Sequence, residues 1–154
     1  NVESGKALVN DGQGIAAQKQ AAGNRNQYWR WARNKKILIH VATGKALGIQ
    51  QGRPTCVLCT PNPRNKLQHW EYFSSRKCIR NSSSGKVLDI AGSMHGTSVI
   101  VWGWNGGKNQ KWRLEDAVLG EGGVNLEEAE DEDEQESDLG AQSDVEEVLQ
   151  SANR

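Results

Sequence analysis

No stretch of this chain carries the roughly eighteen consecutive apolar residues that a membrane-spanning helix needs. Its first residues also lack the charged-then-apolar pattern of a secretory leader, although this decides little, because Asn1-Val2-Glu3 already leads into a repeated element. Acidic residues are nearly missing from the first 114 positions, where Glu3, Asp11, Glu71 and Asp89 stand against 18 Lys and Arg. Residues Glu115–Arg154 reverse this with 15 acids and one Arg. The overall neutrality therefore hides a basic body and an acidic tail, an asymmetry that points to polyanion, membrane or intramolecular electrostatics and is silent about fold. The three cysteines, Cys56, Cys59 and Cys78, are an odd number, so at most one internal bridge forms and one thiol is left over, with the pairing open.

Other absences narrow the chemistry. Cys56-x-x-Cys59 has no second Cys-x-x-Cys, and adding Cys78 and His95 does not reproduce the spacing of a zinc site. Both Cys56 and Cys59 fall in a predicted strand, where cysteine is a common apolar filler. Neither a metal nor a cofactor is expected. No nucleophile–base arrangement and no paired carboxylates occur outside the tail, so catalysis finds no support. The single sequon, Asn81-Ser82-Ser83, matters only in a secretory compartment; the localisation is unknown, with a secreted or extracellular setting favoured.

What the chain does contain is repetition. Gln27-Tyr28-Trp29, Gln68-His69-Trp70 and Gln110-Lys111-Trp112 share one pattern, with tryptophans 41 and then 42 residues apart. Each copy follows a Gly-Lys-aliphatic-Leu element: Gly5-Lys6-Ala7-Leu8, Gly44-Lys45-Ala46-Leu47 and Gly85-Lys86-Val87-Leu88. Such a period is the signature of a repeat architecture. The body divides into Asn1–Trp31, Ala32–Phe73 and Ser74–Leu114. Runs such as Lys36–Val41, Thr55–Cys59 and Ser98–Trp102 alternate with Gly/Asn/Ser turns and show no helical periodicity. Short strands at this spacing predict an all-β barrel or sandwich of about twelve strands around a pseudo-threefold axis. The stretch Arg76–Asn81 before Ser84-Gly85-Lys86 reads as a strand, whereas only Asn1-Val2-Glu3 precedes Ser4-Gly5-Lys6. The first strand is thus expected to be truncated and the chain to be a fragment of something longer.

The tail, 115–154, is expected to be disordered. Leu126–Glu136 holds eight acids and one large apolar residue, too little apolar surface to offset the entropy of ordering. Ser143 and Glu146 have capping-box spacing, compatible with a short helix over Ser143–Leu149.

Triplicate Gln-x-Trp at this period resembles the ricin-B-type (R-type) lectin family over about Asn1–Leu114, which implies a β-trefoil fold and carbohydrate binding. The stretch from Trp29-Arg30-Trp31 to Gly44–Gly48 is also similar to the cysteine-rich lectin domains of mannose-receptor-type proteins. In such repeats Trp29, Trp70 and Trp112 build the core, and Gln27, Gln68 and Gln110 satisfy neighbouring polar groups, so the motif reports fold and not activity. Sugar binding, as the resemblance implies, needs an Asp after the Gly-x-x-Leu, an aromatic platform on the next hairpin, and an Asn-Gln pair before the last Trp. The third repeat has Asp89, Trp102, Asn109 and Gln110, with Ile100 offering a backbone group or an apolar wall.

The chemistry is intelligible residue by residue. A carboxylate accepts hydrogen bonds from two adjacent hydroxyls, and charge-assisted bonds are the stronger kind. An indole face suits the C–H side of a pyranose. Asn109 can donate to and accept from a hydroxyl while Gln110 orients the carboxylate. Alternatively, Asp89 ties down a turn and Trp102 packs inside; Trp104 reads as core. Aligned on Leu8 and Leu47, the Asp position holds Val9 and Gly48. Ten residues before each motif Trp, the platform position holds Lys19 and Thr60. Repeat one keeps Asn26-Gln27 and repeat two has Leu67-Gln68.

One competent galactose- or N-acetylgalactosamine-type site is expected, with glycans or glycoproteins as partners. A lone shallow site is weak, so avidity requires oligomerisation or tethering to a larger protein. The basic residues of this repeat (Arg76, Lys77, Arg80, Lys86, Lys108, Lys111, Arg113) suggest sulfated or anionic glycans, as does the mannose-receptor-type likeness. The competing reading is a basic module binding heparin or nucleic acid, though no nucleic-acid motif accompanies the charge and that partner is disfavoured. The domain could also be the lectin appendage of a larger glycan-active enzyme or receptor. The tail itself reads either as a plain solubilising linker or as an intramolecular competitor for anionic ligands.

Overall fold

A computed structural model describes residues 1–116 apart from Arg33, Lys35, Ser93 and Met94. The expectations of a disordered acidic tail and of a helix at Ser143–Leu149 lie outside the described residues.

Ten strands follow the short β-rich runs: β1 (Lys6–Asn10), β2 (Ile15–Lys19), β3 (Trp29–Ala32), β4 (Ile37–His40), β5 (Ala46–Ile49), β6 (Cys56–Cys59), β7 (Trp70–Phe73), β8 (Cys78–Asn81), β9 (Val87–Ile90) and β10 (Val99–Trp102). Three 3-10 turns, Arg25–Gln27, Lys66–Gln68 and Lys108–Gln110, each carry the Gln of a Gln-x-Trp at their end. Every pairing is antiparallel, giving a β1-β2 hairpin and two four-stranded sheets, β3-β4-β5-β6 and β7-β8-β9-β10. The four-stranded sheets begin at a motif Trp and end in the following hairpin. The repeat boundary drawn after Trp31 therefore cuts β3, while that after Phe73 falls at the end of β7.

The arrangement is the β-trefoil, and its pseudo-threefold relation is visible in single hydrogen bonds. The residue between Gln and Trp accepts from the residue that follows β4 or β8: Val41 N to Tyr28 O at 2.9 Å and Ser82 N to His69 O at 2.8 Å. The third instance is Val2 N to Lys111 O at 2.9 Å. Asn1 thus occupies the place of His40 and Asn81. The three share a buried role: Asn1 Nδ2 donates to Lys108 O and Lys111 O, His40 Nε2 meets Asn26 O, and Asn81 Nδ2 donates to Leu67 O.

Among the described residues the strands number ten, against an expectation of about twelve. Trp112–Glu115, which follows the last motif as β3 and β7 follow theirs, has no antiparallel partner among the described residues and is not a strand.

The interior is filled by equivalent residues, Leu8, Leu47 and Leu88 with Ile15, Cys56 and Val99, closed by Trp70 and Trp112. Each motif indole donates to the carbonyl of the repeated Leu: Trp29 to Leu8 at 2.9 Å, Trp70 to Leu47 at 2.8 Å and Trp112 to Leu88 at 3.1 Å. A buried indole thereby keeps its one donor satisfied. Trp70 and Trp112 are buried as expected; Trp29 is only half-buried, tilted against His40 at 4.9 Å between ring centroids. All three cysteines are free thiols, so no bridge forms among them. Burial in β6 pushes the Cys56 thiol up to about 12, which leaves it a small apolar side chain.

Candidate functional site

The β9–β10 register sets the site. Asp89 lies directly opposite Ile100, and Val87 opposite Trp102. Side chains alternate along a strand and directly opposed residues share a face, so Asp89, Ile100 and Trp102 are presented together. Along β10 the alternation is clear: Val99 and Val101 point into the core, Ile100 is half-buried, and Trp102 is 53% exposed. An indole left so open on a strand packs nothing inside, which removes the core alternative for Trp102. Trp104, expected in the core, is half-buried on the loop beyond β10 and outside the core cluster.

Asp89 is only 4% exposed, yet its carboxylate is fully engaged from one side. Asn109 Nδ2 donates to Oδ1 at 3.0 Å and Gln110 Nε2 to Oδ2 at 2.8 Å. Burial pushes the Asp89 carboxyl above its ordinary value; the amide bonds from Gln110 and Asn109 oppose that rise. Among the described residues these are its two side-chain donors, and ionised Asp offers about four acceptor positions. Asn109 Nδ2 also donates to Ile90 O at 3.1 Å. Both its N–H groups are thereby occupied, and Oδ1 is what Asn109 has left to offer a ligand.

Gln110, wholly buried, does three things at once. Besides Asp89, its Nε2 donates to Gly103 O at 2.8 Å, and its Oε1 accepts from Asn105 N at 2.9 Å. The other motif glutamines make the same two backbone bonds. Gln27 binds Lys19 O and Ala21 N, and Gln68 binds Thr60 O and Asn62 N. The loop clamp is therefore architectural and threefold, while the bond to a carboxylate belongs to the third repeat.

Those bonds also correct the alignment. Lys19 and Thr60 correspond to Gly103, not to Trp102, and the sheet register agrees: Ala7 opposes Gln18, Ala46 opposes Cys59, and Val87 opposes Trp102. Counting ten residues back from each Trp fails because the third loop is one residue shorter. The platform position is filled by Gln18, Cys59 and Trp102, so it remains aromatic only in repeat three. In repeat two Gly48 stands where Asp89 does, and a Cβ there would lie 3.0 Å from Cys59 Sγ. Gln68 Nε2, lacking a carboxylate, donates to that sulfur at 3.1 Å. Cys59 has filled the vacated space.

Gly107 and Asn105 went unnoticed in the sequence. The N-caps of the first two 3-10 turns are Asn24 and Asn65, whose side chains accept from Asn26 N and Leu67 N. The third N-cap is Gly107, with no side-chain cap. Its φ of −64° suits any residue, so the constraint is space: a Cβ at 107 would lie 2.6 Å from Asn109 Oδ1 and 2.8 Å from Asn105 Oδ1. The signal was readable as Asn-x-x-Gln, Asn-x-x-Gln, Gly-x-x-Gln.

A separate cavity of about 560 Å³ opens where the three hairpins converge, lined by the equivalent sets Gly14, Thr55, Ser98 and Ile15, Cys56, Val99; it touches Ile100 but not Asp89. Among the described residues no cluster of His, Cys, Asp or Glu could hold a metal ion, and no helix is long and apolar enough to cross a membrane.

The model of the ricin-type β-trefoil lectin domain family matches residues 4–112. Solved structures of the same fold include a designed threefold-symmetric protein, ThreeFoil, with TM-score 0.65 and 26% identity over 73% of this chain and 92% of that one. The C-half of an earthworm R-type lectin in complex with GalNAc gives TM-score 0.59 and 24% identity over 72% and 90%. The hemolytic lectin CEL-III gives TM-score 0.57 and 19% identity over 73% of this chain and 26% of its own length. The last two likenesses speak to fold alone. No curated protein matches the chain.

Proposed function

The chain belongs to the ricin-type β-trefoil lectin family, a family of carbohydrate-binding domains, and from that premise we propose that it binds a galactose- or N-acetylgalactosamine-type residue at one site, in the third repeat. Asp89 accepts two adjacent sugar hydroxyls on its open lone pairs, Trp102 stacks on the C–H face of the ring, and Ile100 forms the wall between them. Asn109 contributes Oδ1, and Gln110 orients the carboxylate without touching the ligand. The observation that carries this reading is the carboxylate held by two amides beside an exposed indole, an arrangement with no counterpart at Val9/Gln18 or Gly48/Cys59. The GalNAc named with the earthworm lectin's C-half is consistent with the sugar class.

On this reading the module extends over 1–114, acts without catalysis, and gains avidity through tethering or self-association. The basic charge of the body adds a preference for sulfated or otherwise anionic glycans. Titration calorimetry with galactose and N-acetylgalactosamine tests it: Asp89→Ala and Trp102→Ala should each reduce affinity at least tenfold, roughly the loss of one charged or stacking contact. Binding of wild type and Asp89→Ala with equal affinity removes the site. Displacement of ligand by free sugar favours the lectin, whereas loss with salt alone favours a polyanion binder.

A further inference from the structure

Trp104 is clamped by the same amide that orders Asp89. Gln110 binds the carbonyl of Gly103 and the N–H of Asn105, the backbone groups on either side of Trp104, and reaches Asp89 Oδ2 at 2.8 Å. The residues clamped equivalently in the other repeats are Gln20 and Pro61, so only the third repeat carries an aromatic ring there. On that ring sits a cation: the Arg76 guanidinium lies 5.8 Å from the Trp104 centroid. The turn bearing Arg76 is tied to this repeat, because Trp112 N donates to Lys77 O at 2.6 Å. Arg76 is exposed and, among the described residues, has no carboxylate partner; the ion pairs are Lys108–Glu3 and Arg113–Glu115. The third repeat therefore combines a carboxylate, an open indole and, two residues on, a second indole carrying a guanidinium with no carboxylate partner among the described residues.

We propose that Arg76 and Trp104 form a second subsite that takes an anionic substituent, a sulfate ester or a carboxylate, on the glycan whose galactose-type ring rests on Asp89 and Trp102. The inference deepens, and rests on, the function proposed above. A guanidinium stacked on an indole is held in orientation and is weakly hydrated, and its planar fork matches the oxygens of sulfate and carboxylate two at a time. Sulfate and carboxylate present the same paired oxygens, and separate probes distinguish them.

The test is calorimetric titration of the whole 154-residue chain with three probes: a methyl galactoside, the same galactoside bearing a sulfate ester, and a galactoside linked to a uronic acid. Wild type should bind at least one anionic probe roughly five- to tenfold more tightly than the neutral one, as expected of a charge-assisted pair. Arg76→Gln should lower that probe to the neutral affinity while leaving the neutral galactoside unchanged, and Arg76→Lys should restore part of the preference as a point charge. Whichever anionic probe shows the effect identifies the substituent. Arg76→Gln that keeps the preference, or that weakens neutral and anionic probes by the same factor, overturns the subsite; the latter is what a purely structural stack would give. Neutral binding that depends on Asp89 without any anionic preference in wild type overturns the subsite alone. Neutral binding that survives Asp89→Ala overturns the primary site instead.

Discussion

Two buried side chains carry opposite consequences for pH. His40 is wholly buried, with Nδ1 against Thr43 Oγ1 at 2.9 Å and Nε2 against Asn26 O at 3.0 Å. The carbonyl requires Nε2 to carry the proton, which leaves Nδ1 to accept from the hydroxyl; the ring is neutral. Burial holds its pKa below the ordinary 6.5. Below that pH the unfolded chain binds a proton that the folded chain resists, so His40 makes stability fall as pH drops through 6.5. The equivalent positions hold Asn1 and Asn81, whose amides make comparable bonds without titrating. His40→Asn removes ring volume packed on Trp29, so it should cost about 1–2 kcal/mol at neutral pH, and it should flatten the fall between pH 7 and 5. Urea melts across that range check it. Asp89 is the reverse case: an acid whose folded pKa lies above the ordinary 3.8, so its ionisation costs stability as pH rises through that window. Asp89→Asn sets an amide N–H against one of the two donors, Asn109 Nδ2 or Gln110 Nε2, so it should cost about 1–3 kcal/mol at neutral pH and abolish sugar binding. Wild-type affinity should also decline on acidification at a pH above that of an ordinary carboxylate, read by titration at stepped pH. Affinity constant down to pH 3.8 would show that the ionised form is not the binding form.

The third 3-10 turn, Lys108–Gln110, shows how an element gives up local stability for a site. Its counterparts are capped by Asn24 and Asn65, and Asn at an N-cap is among the favoured residues. Gly107 forgoes that side-chain bond, because a Cβ would run into the Asn109 oxygen while Asn109 is turned toward Asp89 and Ile90. Gly107→Ala is compatible with the backbone at φ −64° and ψ 151°, but its Cβ displaces the Asn109 and Asn105 side chains, so the protein should fold with a loss of roughly 1–3 kcal/mol. Affinity should fall about tenfold or more as Asn109 swings out and Asp89 loses a donor. Thermal melts alongside calorimetry separate the two; unchanged affinity would show that Asn109 does not need its present position. At this scale the sequence was informative and incomplete in a specific way. Three Gln-x-Trp copies and the alternation in Val99–Trp102 are local patterns, so the strands could be read from the chain, while the Asp89–Trp102–Asn109–Gln110 set came through the resemblance to the R-type lectin family. The one-residue difference between the third loop and the others could not, because it depends on which backbone groups the glutamines grasp. Nor could the role of Gly107, which is defined by the space another side chain occupies.

The whole molecule repeats its architecture three times and its chemistry once. The clamps made by Gln27, Gln68 and Gln110 and the bonds from Trp29, Trp70 and Trp112 to Leu8, Leu47 and Leu88 recur in every repeat, so they answer to closure of the trefoil. With the one site per chain proposed above, net charge is the property through which the whole chain can modulate binding. Residues 1–114 hold 18 basic residues against four acids, and 115–154 hold 15 acids against one Arg. Two oppositely charged parts of one chain attract at the high effective concentration set by their covalent link, and we propose that the acidic part competes with an anionic ligand for the basic one. Deleting residues 117–154 tests this and spares Glu115, whose carboxylate accepts from Gln20 Nε2 at 3.2 Å. The truncated protein should bind a sulfated glycan more tightly than the full chain in about 0.01 M salt, where screening extends to roughly 30 Å, and the difference should vanish near 1 M, where it extends to roughly 3 Å. Affinity for a neutral galactoside should be the same in both proteins at both salts. A gain for the neutral sugar as well would mean that the tail covers the site sterically. Equal affinity of both proteins for the sulfated glycan at low salt would sink the electrostatic account.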